Sequence, residues 1–318
     1  MKCGFVSFIG RPNAGKSTLV NRLVGVKLAI VSDKPQTTRN RILGVKNYDA
    51  AQVVFLDTPG IHRPLHRMNV RMVDAAVDTI GDVDVLGLVV DATEAGGKGD
   101  AFVLDLVKRS SAPVFLILNK IDRMKRSRLL PIIDAYRRKA PEVTFAEIVP
   151  VSASTGENVD RLERAIIDHL PVGEARYPAD YLTDQPERFF AAEIIREKLL
   201  QLTRAEIPFS SAVAIDRFEE PAPGGGGRGE RLLKLFASIV VDRESHKPIV
   251  VGRGGDMIKR IGTAAREGSG AFFRRARVPG PPRPCKVRVA RGRASAQGSR
   301  AVVQLSTTVS GGGSPGVV

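Results

Sequence analysis

Five short stretches of this 318-residue chain carry side chains at spacings that suit phosphate, metal and base chemistry. The first is Gly10-Arg11-Pro12-Asn13-Ala14-Gly15-Lys16-Ser17, followed by Thr18, which fits the pattern G-x-x-x-x-G-K-[ST]. Backbone N–H groups of such a loop, with a helix N-terminus behind them, attract an anion. Lys16 can then reach the outer phosphates of a nucleotide, and the Ser17 hydroxyl can ligate Mg²⁺. A glycine-rich turn can fit the same pattern by chance, so the flanking elements decide.

The other four stretches follow in order. Asp57-Thr58-Pro59-Gly60 closes an apolar run: Asp57 can hold Mg²⁺ through its water shell, and the Gly60 N–H can face a terminal phosphate. Asn119-Lys120-Ile121-Asp122 closes another, and the Asp122 carboxylate can accept two hydrogen bonds from the N1 and N2 donors of guanine. Adenine lacks that donor pair, so an aspartate here selects the base. The Lys120 stem can cover the ring face and Asn119 can brace the loops. Ser152-Ala153-Ser154 can close the base pocket through backbone N–H groups to the guanine oxygen. Between the first helix and Asp57 lies Gln36-Thr37-Thr38-Arg39-Asn40, where one threonine, Thr38 or Thr37, reaches Mg²⁺ and the γ-phosphate; Thr38 is favoured.

These residues need strand ends to hold them. Phe5–Ile9, Gln52–Asp57, Asp84–Asp91, Pro113–Asn119 and Glu147–Ser152 are short and β-branched-rich. Ser17–Val24, Met68–Ile80, Gly99–Arg109, Leu129–Arg138 and Glu157–Leu170 read as helices between them. Alternation of this kind predicts a doubly wound sheet with ligands at the carboxyl ends of its strands.

The second half has a different texture. A polar stretch with Pro171, Gly173 and Pro178 reads as a linker, and Arg188–Arg204 as an amphipathic helix with Ala191, Ile195, Leu199 and Leu202 on one face. Strands are expected at Ala212–Phe218 and Leu232–Val241, joined by the glycine-rich loop Pro223–Gly229. Ile249-Val250-Val251 then enters Gly252-Arg253-Gly254-Gly255, with Met257-Ile258-Lys259-Arg260-Ile261 opening a helix. Small residues there let a nucleic-acid backbone come close, while Arg253, Lys259 and the helix N-terminus attract phosphate.

The formal net charge is +15, which suits a polyanionic partner. Nine of those charges fall after Glu267, where eight arginines and one lysine meet no acidic residue. Cys3 and Cys285 are the only cysteines and have no metal-site spacing, so reduced thiols and a cytoplasmic setting are expected. The chain leads straight into its first strand without a signal-peptide pattern, and no apolar run approaches the ~20 residues of a membrane span.

The five stretches occur in the order found in translation-factor-class GTPases, so the first half resembles a P-loop GTPase domain. The Gly252–Gly255 loop resembles the G-x-x-G loop of a KH domain. Together with Gln36-Thr37-Thr38-Arg39 and Phe190-Ala191-Ala192-Glu193-Ile194-Ile195-Arg196-Glu197-Lys198, they make the chain similar to the bacterial Era GTPases from about Cys3 to Arg266. That resemblance implies an α/β GTPase domain at 1–172, a linker at 173–187 and a smaller α+β KH domain, expected over 188–290; beyond the resemblance, the basic, glycine-rich composition of 291–318 predicts a tail without fixed structure. The resemblance also implies GTP and GDP binding with Mg²⁺, hydrolysis, binding near the 3′ end of 16S rRNA, and a role in small ribosomal subunit assembly. A monomer in the cytoplasm, with peripheral association at the inner face of the cell membrane, is also implied.

Two positions bear on the chemistry. Ile61 stands where Ras-like proteins carry a water-orienting glutamine, which implies slow intrinsic turnover. It also supports an alternative, a nucleotide-dependent RNA-binding adaptor with negligible hydrolysis. Asn13 matches a P-loop asparagine that binds K⁺ in some relatives. After Arg266 the chain departs from the Era pattern, and only Ala271-Phe272-Phe273 and Lys286–Ala290 are expected to supply replacement helix and strand.

Overall fold

Strands β1 (Lys2–Ile9), β2 (Ile42–Tyr48), β3 (Ala51–Asp57), β4 (Val85–Asp91), β5 (Val114–Asn119) and β6 (Phe145–Pro150) form one sheet in the order β2-β3-β1-β4-β5-β6. In this computed structural model the described residues are 1–32, 41–58, 60, 80–203, 207, 210–219, 232–275, 296–297 and 300–310. The sheet is parallel except for β2, which runs antiparallel to β3 at the edge. Helices α1 (Lys16–Val24), α2 (Lys98–Val107), α3 (Leu129–Lys139) and α4 (Val159–His169) belong to the same unit, which spans Met1–Asp184. All residues of Val85–Val90 and Val114–Asn119 are buried, as strands covered on both faces must be. The sheet order places β1 between β3 and β4, so the loops after β1, β3, β4 and β5 open at one edge, where such sheets bind ligands.

Strand β2 was not among the expected elements. Its run Ile-Leu-Gly-Val-Lys-Asn-Tyr mixes apolar and polar residues without clean alternation, and Gly44 interrupts it. The glycine has a packing reason: a Cβ there would lie 2.5 Å from Leu28 Cδ1 and 3.0 Å from Val24 Cγ2. The expected helix Met68–Ile80 lies outside the described residues except for Ile80, which is buried.

The expected linker is in large part a strap along the β2 edge. The Val45 N–H donates to Leu182 O (2.8 Å), Thr183 Oγ1 to Leu43 O (2.6 Å) and Asn47 Nδ2 to Ala179 O (2.8 Å). Gln52 is fully buried; its Oε1 accepts from the Arg176 and Tyr177 N–H groups at 2.8 and 3.0 Å, and its Nε2 donates to Tyr177 O at 2.8 Å. Tyr177 and Tyr181 stack at 4.8 Å and pack with Phe5 against Leu43, Val45, Val54 and Leu56. The strap occupies backbone groups that a bare edge strand would leave open.

The second unit, Gln185–Val318, contains α5 (Glu187–Leu202), β7 (Ser211–Glu219), β8 (Leu232–Val241), α6 (Lys247–Val251), α7 (Asp256–Arg275), β9 (Ala296–Gln297) and β10 (Arg300–Ser310). Its strand order is β7-β8-β10-β9. Leu235, Ala237, Ile239 and Val241 alternate inward from β8, and the last three meet Ile195, Leu199, Val250, Ile258 and Ile261. Helix α7 runs through the Ala271-Phe272-Phe273 stretch, and Phe272 stacks on Phe190 of α5 at 4.8 Å.

The C-terminal end corrects the sequence reading. The expected strand Lys286–Ala290 lies outside the described residues. Inside the stretch read as a tail without fixed structure, β10 pairs antiparallel with β8 from Ala301–Val241 to Ser310–Leu232. The reason is local: Ala301-Val302-Val303-Gln304-Leu305-Ser306-Thr307-Thr308-Val309 is β-branched-rich and free of proline, glycine and charge. Flanking glycines and serines hid it in the composition of the tail.

Without β10, β8 becomes an edge strand and loses its pairing on one side. Deleting residues 296–318 is therefore expected to abolish the cooperative melting transition of the second unit. The transition of the first unit, identified in calorimetry by its upward shift with GDP, should remain.

Candidate functional site

The phosphate loop sits between β1 and α1, and its geometry depends on Gly15 and Asn119. Gly15 holds a left-handed conformation (φ 93°), and a Cβ there would run into the Asn119 side-chain amide. That close approach lets Asn119 Nδ2 donate to Ala14 O at 2.8 Å, while its Oδ1 accepts from the Ala153 N–H at 3.0 Å. One side chain at the end of β5 thus joins the phosphate loop to the Ser152–Ser154 loop.

Lys16 is buried and donates from Nζ to Gly10 O and Arg11 O, each at 3.0 Å. Burial pulls its pKa from 10.5 down to about 8, against the raising influence of Asp57. An anion beside this ammonium would relieve the cost that burial imposes. Ser17 Oγ donates to Asp57 Oδ2 at 2.9 Å, and Thr58 Oγ1 anchors the end of β3 to Phe8 O at 2.9 Å. Gly60 lies against the loop: a Cβ there would be 2.9 Å from Pro12 Cα. Asn13 is exposed and left-handed (φ 63°).

On the base side, Lys120 adopts φ 67° and starts a 3₁₀ turn, Ile121–Arg123, that leaves Asp122 exposed and Ile121 buried. Two residues that the motifs did not single out hold this side together. Asp91, at the end of β4 and in register with Asn119, accepts from Lys120 Nζ at 2.6 Å and from Thr93 N and Oγ1 at 2.9 and 2.6 Å. Burial works to raise the Asp91 pKa, but the hydrogen bonds and charge of Lys120 and the Thr93 bonds outweigh it and hold the carboxyl below the usual range. Arg22 of α1 donates from Nε to Ala153 O at 3.2 Å and from Nη2 to Ser154 O. Ser152 and Ser154 share a hydroxyl–hydroxyl bond at 3.1 Å. Asp91 was legible only as a polar residue closing an apolar strand; Arg22 carried no signal.

Gly10, Arg11, Pro12, Asn13, Ala14, Gly15, Lys16, Ser17, Thr18, Asp57, Thr58, Gly60, Asn119–Asp122 and Ser152–Ser154 thus fall on loops, strand ends and the first turn of α1 at one sheet edge. Thr37, Thr38, Pro59 and Ile61 lie outside the described residues. The residues present fit a nucleotide with Mg²⁺. The phosphate loop has no room for a Cβ at Gly15, a buried ammonium lies behind it, and the Ser17–Asp57 pair is an oxygen-only donor set suited to a hard cation.

In the second unit, Gly252 (φ 75°), Gly254 (φ 59°) and Gly255 (φ 82°) all take positive φ. A Cβ at Gly252 would meet Met257 at 2.7 Å, whereas Gly254 faces open space. Arg253, Gly254 and Lys259 are exposed at the start of α7. The apolar run before the loop, expected as an entry segment, is the short helix α6, capped by the Gly252 N–H donating to Pro248 O at 2.8 Å.

Comparison with known proteins agrees with this division. The family described as "50S ribosome-binding GTPase" matches residues 5–120, and the KH domain family matches residues 206–276. GTPase Era of Geobacter metallireducens is 48% identical over 265 residues, covering 83% of this chain and 86% of the relative. GTPase Era of Syntrophus aciditrophicus is 48% identical over 272 residues, covering 86% of each. Among solved structures, a variant of Aquifex aeolicus Era bound to GDP·AlF4⁻ superposes with a TM-score of 0.78 at 42% identity, over 86% of this chain and 90% of that one. An Era complex with MgGDPNP and nucleotides 1506–1542 of 16S ribosomal RNA gives the same TM-score and identity, over 86% and 89%. By these likenesses and by its own phosphate loop, base loop and G-x-x-G loop, the chain belongs to the Era GTPase family.

Proposed function

We propose that this GTPase binds the 3′ region of 16S rRNA through its KH unit and acts in assembly of the small ribosomal subunit, with GTP state controlling RNA affinity. The observation that carries the reading is the pairing, in one chain, of the Asn119-braced nucleotide site with an exposed G-x-x-G loop. The Era complex with 16S nucleotides supports the choice of RNA. The adaptor alternative rests on Ile61 alone, outside the described residues.

Each residue has a part in this reading. Lys16 and the backbone N–H groups of Asn13–Thr18 hold the β- and γ-phosphates, and Ser17, Asp57 and Thr38 hold Mg²⁺. When bound, Mg²⁺ neutralises charge on the transferring phosphoryl group. Gly60 faces the γ-phosphate, and its closeness to Pro12 keeps that position small. Asp122 reads guanine, Lys120 covers its ring, and the Ser152–Ser154 backbone meets its oxygen. Asn13 provides an amide oxygen for K⁺ beside the phosphates. Gly252, Arg253, Gly254, Gly255 and Lys259 receive the RNA backbone. The free, buried Cys3 suits a reducing cytoplasm; among the described residues no helix is long and apolar enough to cross a membrane.

Three outcomes test these assignments. Asp122→Asn exchanges one acceptor for a donor, so nucleotide competition should show preference moving from GDP to xanthosine diphosphate, whose O2 accepts where guanine N2 donates. Hydrolysis in K⁺ should exceed that in Na⁺; equal rates would remove K⁺ from Asn13. Gly254→Asp should weaken binding of a 16S 3′-end oligonucleotide at least tenfold in the GTP-analogue state, with GTP hydrolysis in the absence of RNA unchanged. A scrambled oligonucleotide bound equally well in both nucleotide states would defeat the switch reading.

A further inference from the structure

Helix α3 and the turn before it carry an unusual concentration of charge on the GTPase unit. Arg123, Lys125, Arg126 and Arg128 precede the helix or open it, and Arg137, Arg138 and Lys139 end it, with Asp134 the only acid between Arg123 and Lys139. All seven cations are exposed. Their excess of six equals the whole net charge of residues 1–267, so the other 250 residues of that stretch are neutral in sum.

Helix ends and neighbouring acids account for part of this. Arg137, Arg138 and Lys139 lie in the last turn, where cations complement the helix dipole. Lys139 Nζ also donates to Gly96 O at 3.0 Å, and Arg126 pairs with Glu157 at 2.8 Å. Neither explains Arg123, Lys125 and Arg128, which crowd like charge at the opposite end of an 11-residue helix. At about 1.5 Å rise per residue the two groups stand roughly 15 Å apart, a span that several consecutive phosphates of a strand can follow.

Beside this face is an open cavity of about 290 Å³ lined by Ala95, Gly96, Ser127, Pro131, Ile132 and Tyr136, with Arg128 on its wall. Each water in the liquid takes about 30 Å³, so the cavity holds roughly ten, enough room for one flat heterocycle. Its walls are mainly apolar, and Tyr136 behind them is buried, so the surface offered to a ligand is aliphatic. Single-stranded nucleic acid can be held with its phosphates on cations and an unstacked base against apolar surface. An anionic lipid surface would use the charge but not a base-sized cavity.

We propose that the α3 face of the GTPase unit is a second RNA-binding surface, taking a single-stranded segment with one base in the cavity beside Arg128. This rests on the RNA-binding reading above but places an RNA site outside the KH unit. A strand bound there lies next to the Asn119–Asp122 loop, with Arg123 following the guanine-reading Asp122 directly.

The test uses the full chain with Arg128→Gln, Arg138→Gln and Lys139→Gln combined, alongside Gly254→Asp and the pair together; Arg137, half a turn round the helix from Arg128, is left in place. The ligand is a single-stranded 16S 3′-end RNA long enough to leave the KH loop. Every phosphate that a removed cation had neutralised should lower the slope of log K against log salt by about 0.7, so the triple variant should fall short of the parent by about two units of slope. Affinity should drop five- to tenfold in addition to the Gly254→Asp loss, while GTP hydrolysis without RNA stays unchanged. Ala135→Trp, which intrudes on the cavity, should reduce preference for single-stranded over duplex RNA and leave the salt slope in place. An unchanged affinity and slope in the triple variant overturns the proposal even where Gly254→Asp weakens RNA binding. If Gly254→Asp alone has no effect, the KH reading fails and the α3 surface is judged on its own slope. Loss of binding to vesicles containing phosphatidylserine, without loss of RNA affinity, would assign the face to a membrane and overturn the proposal.

Discussion

The two hydrogen bonds of the Asn119 side chain are the constraint on which the nucleotide site rests. A buried amide has to satisfy both its donor and its acceptor, because the cost of leaving either unmade exceeds the gain from making one. Here the donor goes to Ala14 O and the acceptor to Ala153 N–H, so the phosphate loop, the end of β5 and the Ser152–Ser154 loop are fixed to one another. The arrangement explains why position 15 has no side chain: a Cβ would take the place of the amide. Asp91 and Arg22 extend the frame outward, one by holding the Lys120 ammonium and the other by holding the carbonyls of Ala153 and Ser154. Phosphate recognition and base recognition are therefore one construction, built from loops that are distant in sequence.

The second unit meets a different demand. Its G-x-x-G loop takes positive φ at three glycines and leaves Arg253 and Lys259 exposed to solvent. Nothing in that loop is braced as Asn119 braces the first site. Rigidity comes from beneath, where Val250, Ile258 and Ile261 on either side of the loop enter the core formed with β8. The register of β10 on β8 matters for the same reason, since a central strand paired on both sides holds the inward row of Leu235, Ala237, Ile239 and Val241 in place.

How much of this was legible in the chain depends on how local the cause was. The phosphate loop, the Asn119–Asp122 turn and the G-x-x-G loop need particular residues at fixed spacing, and they stand where the spacing put them. The buried strands β4 and β5 were readable as apolar runs. Strand β2 was not, because an edge strand with Gly44 chosen for packing against Leu28 has no clean period. Strand β10 was missed for a compositional reason: its five β-branched residues, Val302, Val303, Thr307, Thr308 and Val309, were diluted among glycines, serines and arginines. The bracing roles of Asp91 and Arg22 were not legible because their partners lie 29 and 131 positions away, and no local pattern signals such pairs.

The strap over β2 shows how much of an apparent linker belongs to the first unit. Strand β2 begins directly after the Gln36–Asn40 segment, and its outer edge is bonded to residues 179–183, which lead within a few residues into α5. The strap is held by backbone bonds and by Gln52, a buried side chain whose carbonyl accepts two strap N–H groups at once. A shift of β2 along its axis would strain its own bonds to the strap, from Leu43, Val45 and Asn47, against those that Gln52 holds from β3, and a buried amide left without partners costs of order 1–3 kcal/mol. Residues 176–183 are thus part of the first unit and not a free tether. Their register is set jointly by β2 and β3, which is why a stretch that reads as a linker in the sequence folds onto the sheet edge.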